Sequence, residues 1–187
     1  MAIFYKGIGP GTHWSSVDLC SRGLQPRDPG SSPGLSTLMS HIGHGTTYSC
    51  YISLTRSYGI AQAYAYAGTV VPSNTSPGYV YELELDDPLP SGLAVIDPLV
   101  EIAQGLPNRL AQQSYHHDGD PDFLIGVINP TKMVAQKVKD PPGSIRTPRQ
   151  PHLSMELETL VRVLRDAEVL VAGNLPAACF KHRYPVF

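Results

Sequence analysis

The stretch that most constrains the fold of this chain is GYVYELELD, at residues 78–86. Successive side chains of a β-strand point to opposite faces, so alternation of apolar and polar residues marks a strand with one apolar face. The apolar face of this stretch carries Tyr79, Tyr81, Leu83 and Leu85. The opposite face carries Val80, Glu82 and Glu84. The pattern predicts a strand, and hence a fold that contains a β-sheet.

Shorter runs elsewhere predict further strands and several helices. The predicted strands cover residues 2–6, 49–55, 93–98, 122–128 and 132–139. The predicted helices cover residues 15–23, 35–42, 57–68, 99–113 and 153–173. The 18 prolines and 17 glycines are spread along the chain, which favours short elements joined by turns over a helical bundle. Strands dominate the middle of the chain and helices flank them, so the sequence predicts an α+β fold rather than a regular βαβ repeat.

The chain divides into three predicted parts. Residues 1–139 are long and apolar enough to form one domain with its own core. Residues 140–152 contain four prolines and no apolar period, which is typical of a linker. Residues 153–187 hold an amphipathic helix and a tail.

Charge and hydropathy exclude some classes of protein. The formal net charge is -2 and there is no strong basic run, so electrostatics gives no support for broad nucleic-acid binding. No run of about 18 apolar residues is present, so no membrane span is predicted. The stretch MAIFYKGIGPGTHW is not a signal peptide, because Lys6 and the glycines interrupt a short apolar part. Export by a dedicated secretion machine stays compatible with this sequence.

The cysteines and histidines give no metal-ligand pattern. Cys20, Cys50 and Cys179 are odd in number and widely spaced, which favours three free thiols, with a Cys20–Cys50 bridge as the alternative. His116 and His117 precede a pair of aspartates, a combination that suits a divalent ion but is more often a solvated loop. No metal site is predicted.

Four short motifs follow one another in the sequence. They are FYKG at residues 4–7, HIGHG at 41–45, YISLT at 51–55 and HHDGDPDFLIGVINP at 116–130. YISLT ends a predicted strand in hydroxyls just before a predicted helix. Buried hydroxyls need hydrogen-bond partners, so these side chains either brace the turn or line a pocket for a polar ligand.

This order of motifs resembles the mono-ADP-ribosyltransferases of the cholera-toxin-like (R-S-E) class. In that family a first-strand arginine, an aromatic-apolar-Ser-Thr-Ser motif and a Gln/Glu-x-Glu motif build one NAD pocket. The resemblance covers most of residues 3–138, and it places Lys6 at the arginine, Ser53 at the first serine and Thr55 at the last. Asp120-Pro121-Asp122 lies at the Glu-x-Glu position. Lysine lacks the bidentate fork of arginine, and aspartate is one methylene shorter than glutamate.

The resemblance implies a split β-sandwich with flanking helices and NAD as the substrate. It also implies transfer of ADP-ribose to a protein acceptor by a bacterial toxin or effector, with a nucleic-acid acceptor left open. In the resembling toxins a C-terminal segment connects to a carrier subunit, so residues 153–187 either contact a carrier or partner subunit or pack on the domain as ordinary core. A carboxylate near the ribose stabilises the positive charge that develops when the nicotinamide–ribose bond breaks, and Asp122 takes this role. Asp120 orients the acceptor, and Ser53 braces the acid. The implied NAD-binding residues are Tyr5, Lys6, Gly7, Ser53, Thr55, His41 and His44.

Several alternatives stay open at this point. Glu82 with Glu84 repeats the two-residue acid spacing, and Glu101 with Gln104 is a weaker rival. Among the aromatic residues, Trp14 and Tyr58 are candidates for ligand contact that the sequence leaves undecided, and Tyr64 and Tyr66 are expected in the core. In function, the alternatives are an NAD glycohydrolase of the same fold and a catalytically inactive module that binds a protein partner.

Overall fold

The computed structural model describes residues 1–105 and 155–187. Its strands are β1 Ala2–Ile8, β2 Tyr51–Thr55, β3 Gly78–Leu85, β4 Ala94–Ile96, β5 Glu168–Ala172 and β6 Phe180–Val186. Its α-helices are α1 Leu19–Arg22, α2 Leu35–His44, α3 Tyr58–Tyr66, α4 Pro98–Gly105 and α5 Met155–Asp166. A short 3-10 helix, Ala177–Cys179, leads into β6.

The six strands form one antiparallel sheet in the order β4-β5-β2-β1-β3-β6. Strand β1 pairs with β3 along its whole length, from Ala2↔Leu85 to Ile8↔Tyr79. Strand β5 pairs with β2 on one side and with β4 on the other. The predicted α+β class is therefore confirmed as a mixed α+β fold with a six-stranded antiparallel sheet.

Both faces of the sheet are covered by core residues. The face predicted from GYVYELELD carries Tyr81 and Leu83 into the main core, where they meet Phe4, Leu54 and Val171. A second cluster lies between the sheet and helices α2, α4 and α5. Its members include Leu38, Ile102, Val163 and Leu170. Strand β5 is thus buried on both faces.

Helix α3 lies unusually close to the sheet. Ala61 and Ala65 on this helix are fully buried and pack with Val80 of β3. A methyl group on Gly7 would overlap the backbone oxygen of Ala61, and one on Gly78 would overlap that of Ala65. These glycines let the helix backbone approach the strands, and strand glycines often mark such a contact.

The C-terminal segment differs from the prediction of one helix over 153–173. Helix α5 ends at Asp166, Ala167 adopts a positive φ of 45°, and strand β5 begins at Glu168. The change of element follows from burial, because residues 169–171 are apolar, largely β-branched and fully buried between two neighbouring strands.

The predicted tail after residue 173 also holds a strand. Strand β6 pairs with β3 and forms an edge of the sheet. Its central residues, from Lys181 to Pro185, are exposed and lack apolar alternation. An edge strand tolerates both the proline and the charges, which explains why pattern reading did not find it.

Other differences between the structure and the sequence predictions are smaller. The predicted helix over 15–23 is a single turn, α1, with Asp18 as its N-cap and Gly23 as its C-cap. Tyr64 and Tyr66 are about half-exposed, at 47% and 49%, and are therefore not core residues. All three cysteines are free thiols, so the Cys20–Cys50 bridge is not formed.

Some predicted elements lie outside the described residues. They are the strands at 122–128 and 132–139 and the linker at 140–152. Within residues 1–105 and 155–187, no helix has the length and hydropathy needed to cross a bilayer.

Candidate active site

A pocket of about 340 Å³ opens where strands β1 and β2 separate. In the described chain the two strands share the single register pair Tyr5↔Thr55. Beyond that pair the ammonium of Lys6, rather than a backbone amide, donates to the carbonyl oxygen of Ser53 at 3.0 Å. The split in the sheet thus creates a cleft with unpaired strand edges, and a lysine side chain bridges it.

A buried histidine links two serines at the back of the pocket. His41 lies on α2 and is 3% exposed. Its Nδ1 is 2.7 Å from Ser49 Oγ, and its Nε2 is 2.6 Å from Ser53 Oγ. Burial lowers the pKa of His41 to about 4, and the nearby charge of Lys6 acts in the same direction. The imidazole is therefore neutral at pH 7, donating to one serine and accepting from the other.

The acid of the pocket is Glu168, the first residue of β5. It lies opposite Thr55 on β2, and its side chain is 9% exposed. Burial raises the pKa of Glu168 to about 6, while a hydrogen bond with Ser53 and the charge of Lys6 act in the opposite direction. Its Oε1 is 4.0 Å from His41 Nε2, which is a polar contact rather than an ion pair because His41 is neutral.

Lys6 supplies the positive charge that faces this carboxylate. Burial lowers the pKa of Lys6 to about 8, and Glu168 partly opposes that shift. Between pH 6 and pH 8 the pocket thus holds a carboxylate, an ammonium and a neutral imidazole. Shielded from bulk water, such charges act on a bound ligand more strongly than exposed charges do.

A second acid, Asp166, lies at the side of the pocket and is engaged by neighbouring side chains. Arg165 donates two hydrogen bonds to its carboxylate, and the Tyr64 hydroxyl donates a third. The hydroxyl of Thr55 donates to the Asp166 carbonyl oxygen at 2.6 Å. Thr55 therefore braces the turn that precedes Glu168.

The structure brings most of the predicted site residues into one place. The pocket lining includes Tyr5, Lys6, Gly7, His41, Ser53 and Thr55, together with Trp14. His44 is exposed at the end of α2, outside the lining. Tyr58 makes edge-to-face contacts with Tyr5 and Tyr184 and lies outside the pocket lining. The rival acids Glu82, Glu84 and Glu101 also lie outside the lining.

The predicted acids Asp120 and Asp122 lie outside the described residues. Sequence reading missed the acids that the structure does place at the pocket, Asp166 and Glu168. The signal was present, because the two carboxylates are two residues apart and directly precede the apolar run VLVA. The amphipathic pattern over residues 153–173 predicts a single helix, and this prediction hides the acid pair at the start of a strand.

Metal ligands do not cluster in the part of the chain that the structure describes. Across residues 1–105 and 155–187, no three His, Cys, Asp or Glu side chains come together in a group that could hold an ion. What the described pocket offers is acid, cation and hydrogen-bond chemistry from protein side chains.

Comparison with known proteins gives a remote structural similarity and no match at the sequence level. No protein-family model matches the sequence, and no curated protein matches it. Among solved structures, the chain is similar to nicked CARDS toxin, with 15% sequence identity and a TM-score of 0.46. The match covers 98% of this chain and 25% of the toxin chain, so the chain spans about a quarter of that protein's length.

Proposed function

We propose that this protein is an NAD-dependent mono-ADP-ribosyltransferase of the kind found among bacterial toxins and effectors. It cleaves the nicotinamide–ribose bond of NAD and transfers ADP-ribose to a macromolecular acceptor, most simply a protein. The observation that carries the proposal is the carboxylate of Glu168, whose side chain is 9% exposed, in the same pocket as Ser53 and the ammonium of Lys6.

The chemistry of the reaction matches these groups. Cleavage of the glycosidic bond passes through an oxocarbenium-like state, in which positive charge develops on the ribose. A fixed carboxylate in a shielded pocket stabilises that charge more than it stabilises the ground state. Glu168 takes this role, Ser53 orients it, and Lys6 binds the phosphates of NAD as a point charge.

The order of sequence motifs supports the same assignment with one change. The R-S-E class has a cation, a serine and two acids spaced two residues apart, in that order along the chain. This chain has Lys6 and Ser53 in the same order, and we propose that Asp166 and Glu168 are the two acids. A glutamate then stands at the second acid position, as in the family. Asp120 and Asp122 remain as the second candidate pair, and the variants below separate the two.

An NAD glycohydrolase is the second candidate function. It is favoured by the state of Asp166, whose carboxylate oxygens already accept bonds from Arg165 and Tyr64. With Asp166 engaged in this way, Glu168 is the acid among the described lining residues that remains for the reaction, which is compatible with water as the acceptor. In this case nicotinamide is released and free ADP-ribose accumulates without labelling of a macromolecule.

The proposal is tested by incubating the purified protein with NAD labelled in its adenylate part, with and without a cell lysate. We expect nicotinamide release and label on a macromolecule that protease, but not nuclease, removes. Nuclease-sensitive label identifies a nucleic-acid acceptor, and release without label identifies the glycohydrolase. No release together with no NAD binding by calorimetry contradicts both enzymes and leaves the module that binds a protein partner.

The pH dependence of nicotinamide release is expected to be a bell with limbs near pH 6 and pH 8. Glu168 must be ionised, and its raised pKa of about 6 sets the acid limb. Lys6 must be protonated, and its lowered pKa of about 8 sets the alkaline limb. The measurement is kcat/KM for NAD against pH.

The matched variant for this profile is Lys6→Arg. A guanidinium stays protonated throughout the range, so the alkaline limb should disappear while the acid limb stays in place. An acid limb near the ordinary pKa of glutamate, or an alkaline limb unchanged in Lys6→Arg, would contradict the assignment of these two groups.

A further inference from the structure

Asp166 lies beside the pocket, and its carboxylate already accepts three short hydrogen bonds. Its Oδ1 accepts from Arg165 Nε at 2.6 Å. Its Oδ2 accepts from a terminal nitrogen of Arg165 at 2.7 Å and from the Tyr64 hydroxyl at 2.7 Å. Bidentate, charge-assisted bonds of this length are among the strongest that side chains form. An acceptor nucleophile would therefore compete with a guanidinium and a phenol for this carboxylate.

The backbone that follows Asp166 is held as firmly as its side chain. The Thr55 hydroxyl donates to the Asp166 carbonyl oxygen at 2.6 Å, and the Arg56 amide donates to the Ala167 carbonyl oxygen at 3.1 Å. Between these two bonds Ala167 adopts a φ of 45°, in the left-handed region that residues with a side chain rarely occupy. Such a conformation persists when the surrounding contacts determine it.

The turn at Ala167 controls where the pocket carboxylate lies. Helix α5 ends at Asp166 and strand β5 begins at Glu168, so a single residue redirects the chain from one to the other. A change in its dihedral angles would rotate Glu168 away from Ser53. Tyr64 connects this turn to helix α3, which packs against β1 and thus against the strand that carries Lys6.

We propose that Asp166 is a positioning residue for Glu168. Held by Arg165 and Tyr64, it fixes the left-handed turn at Ala167 and thereby the place of Glu168 in the pocket, and it does not contact the acceptor. The kinetic consequence of this inference rests on the proposed function, whereas its structural consequence does not.

The kinetic test compares Tyr64→Phe and Asp166→Asn with wild type in nicotinamide release without a macromolecular acceptor. We expect kcat to fall about tenfold in Asp166→Asn and about threefold in Tyr64→Phe, since small displacements of a reacting group are costly. KM for NAD should stay within about twofold. The double variant should be no slower than Asp166→Asn, because the two residues act as one unit.

Tyr66→Phe is the matched control. Tyr66 lies on the same helix, and its hydroxyl donates to the Phe187 carbonyl oxygen at the protein surface instead of to Asp166. This variant should behave as wild type. If Asp166→Asn slows transfer to an acceptor but leaves release without acceptor unchanged, Asp166 is an acceptor contact and the proposal fails. Equal effects on kcat and KM would also overturn it.

Hydrogen exchange at the Arg56 amide tests the positioning role of Asp166 without any catalytic readout. This amide donates to Ala167, so its exchange should accelerate about tenfold in Tyr64→Phe and Asp166→Asn, and not in Tyr66→Phe. Unchanged exchange in Tyr64→Phe overturns the proposal even where Asp166→Asn does not fold. Accelerated exchange in a protein that neither releases nicotinamide nor binds NAD contradicts the proposed function and supports the positioning role of Asp166.

Discussion

Replacing Glu168 with glutamine is expected to lower the rate of nicotinamide release from NAD by about 10³-fold, or about 4 kcal/mol of transition-state stabilisation. Glutamine keeps the shape of the side chain and its hydrogen-bonding capacity towards Ser53. It lacks the negative charge that stabilises the oxocarbenium-like state. Because this charge matters most in the transition state, the loss should appear in kcat, with KM for NAD changed little.

The folded state should survive this substitution. The pKa of Glu168 is raised, so its ionised form destabilises the fold, and that loss of stability develops as the pH rises from about 4.5 to about 6. At pH 8 the Glu168→Gln protein should therefore be no less stable than wild type in thermal unfolding. A large loss of activity without a loss of stability separates a role in catalysis from a role in packing.

Two control variants sharpen this result. Glu82→Gln alters a carboxylate on β3 that accepts from Tyr184 and lies outside the pocket lining, and it should leave the rate unchanged. Asp122→Asn tests the acid chosen from the sequence. A wild-type rate in Glu168→Gln combined with a loss of about 10³-fold in Asp122→Asn would reverse our assignment of the carboxylate.

Strand β3, helix α3 and the pocket residues Lys6 and Ser53 can be predicted from local sequence patterns. The alternation of apolar and polar residues alone predicts strand β3. The structure explains this alternation, because one face of the strand is buried in the main core and the other is partly polar. The helical spacing of Ile60, Ala61, Tyr64 and Ala65 predicts helix α3. The structure adds its N-cap, where the Ser57 hydroxyl accepts from the Ile60 amide. Lys6 and Ser53 were singled out from motif order, and the structure places them in contact.

The C-terminal third of the sheet could not be predicted from such signals. Residues 168–172 have the composition of a strand but follow an amphipathic helix without glycine or proline between them. Ala167 makes the break, and alanine gives no local sign of a left-handed conformation. The break is set by tertiary contacts with Thr55 and Arg56, more than 100 residues earlier in the chain. The pocket acid was missed for the same reason.

Replacing Gly7 with alanine is expected to lower the free energy of unfolding by about 3 kcal/mol, at the upper end of the cost of overpacking. The added methyl group would overlap the Ala61 carbonyl oxygen and lie 2.8 Å from Tyr64 Cβ. Relief requires a shift of helix α3 or strand β1, because the nearest atoms belong to backbone rather than to the end of a flexible side chain. Ala61 is fully buried, so the helix has little room to move.

The measurement is the midpoint of thermal unfolding, which should fall by roughly 10 °C for a chain of this size. Gly43→Ala is the matched control, because a methyl group there meets no atom within 4 Å and alanine favours the helix that contains it. That variant should be as stable as wild type or slightly more so. An unchanged midpoint in Gly7→Ala would mean that α3 does not pack closely on β1.

The Gly7 variant also connects packing to the pocket. Gly7 was assigned to NAD binding from its motif, whereas its closest contacts are with helix α3. If the helix shifts, Tyr64 moves relative to Asp166, and the turn that places Glu168 loosens. Gly7→Ala should therefore accelerate exchange at the Arg56 amide even at temperatures where the protein is fully folded. Normal Arg56 exchange in a destabilised Gly7→Ala protein would show that the helix contact supports the fold and does not set the geometry of the pocket.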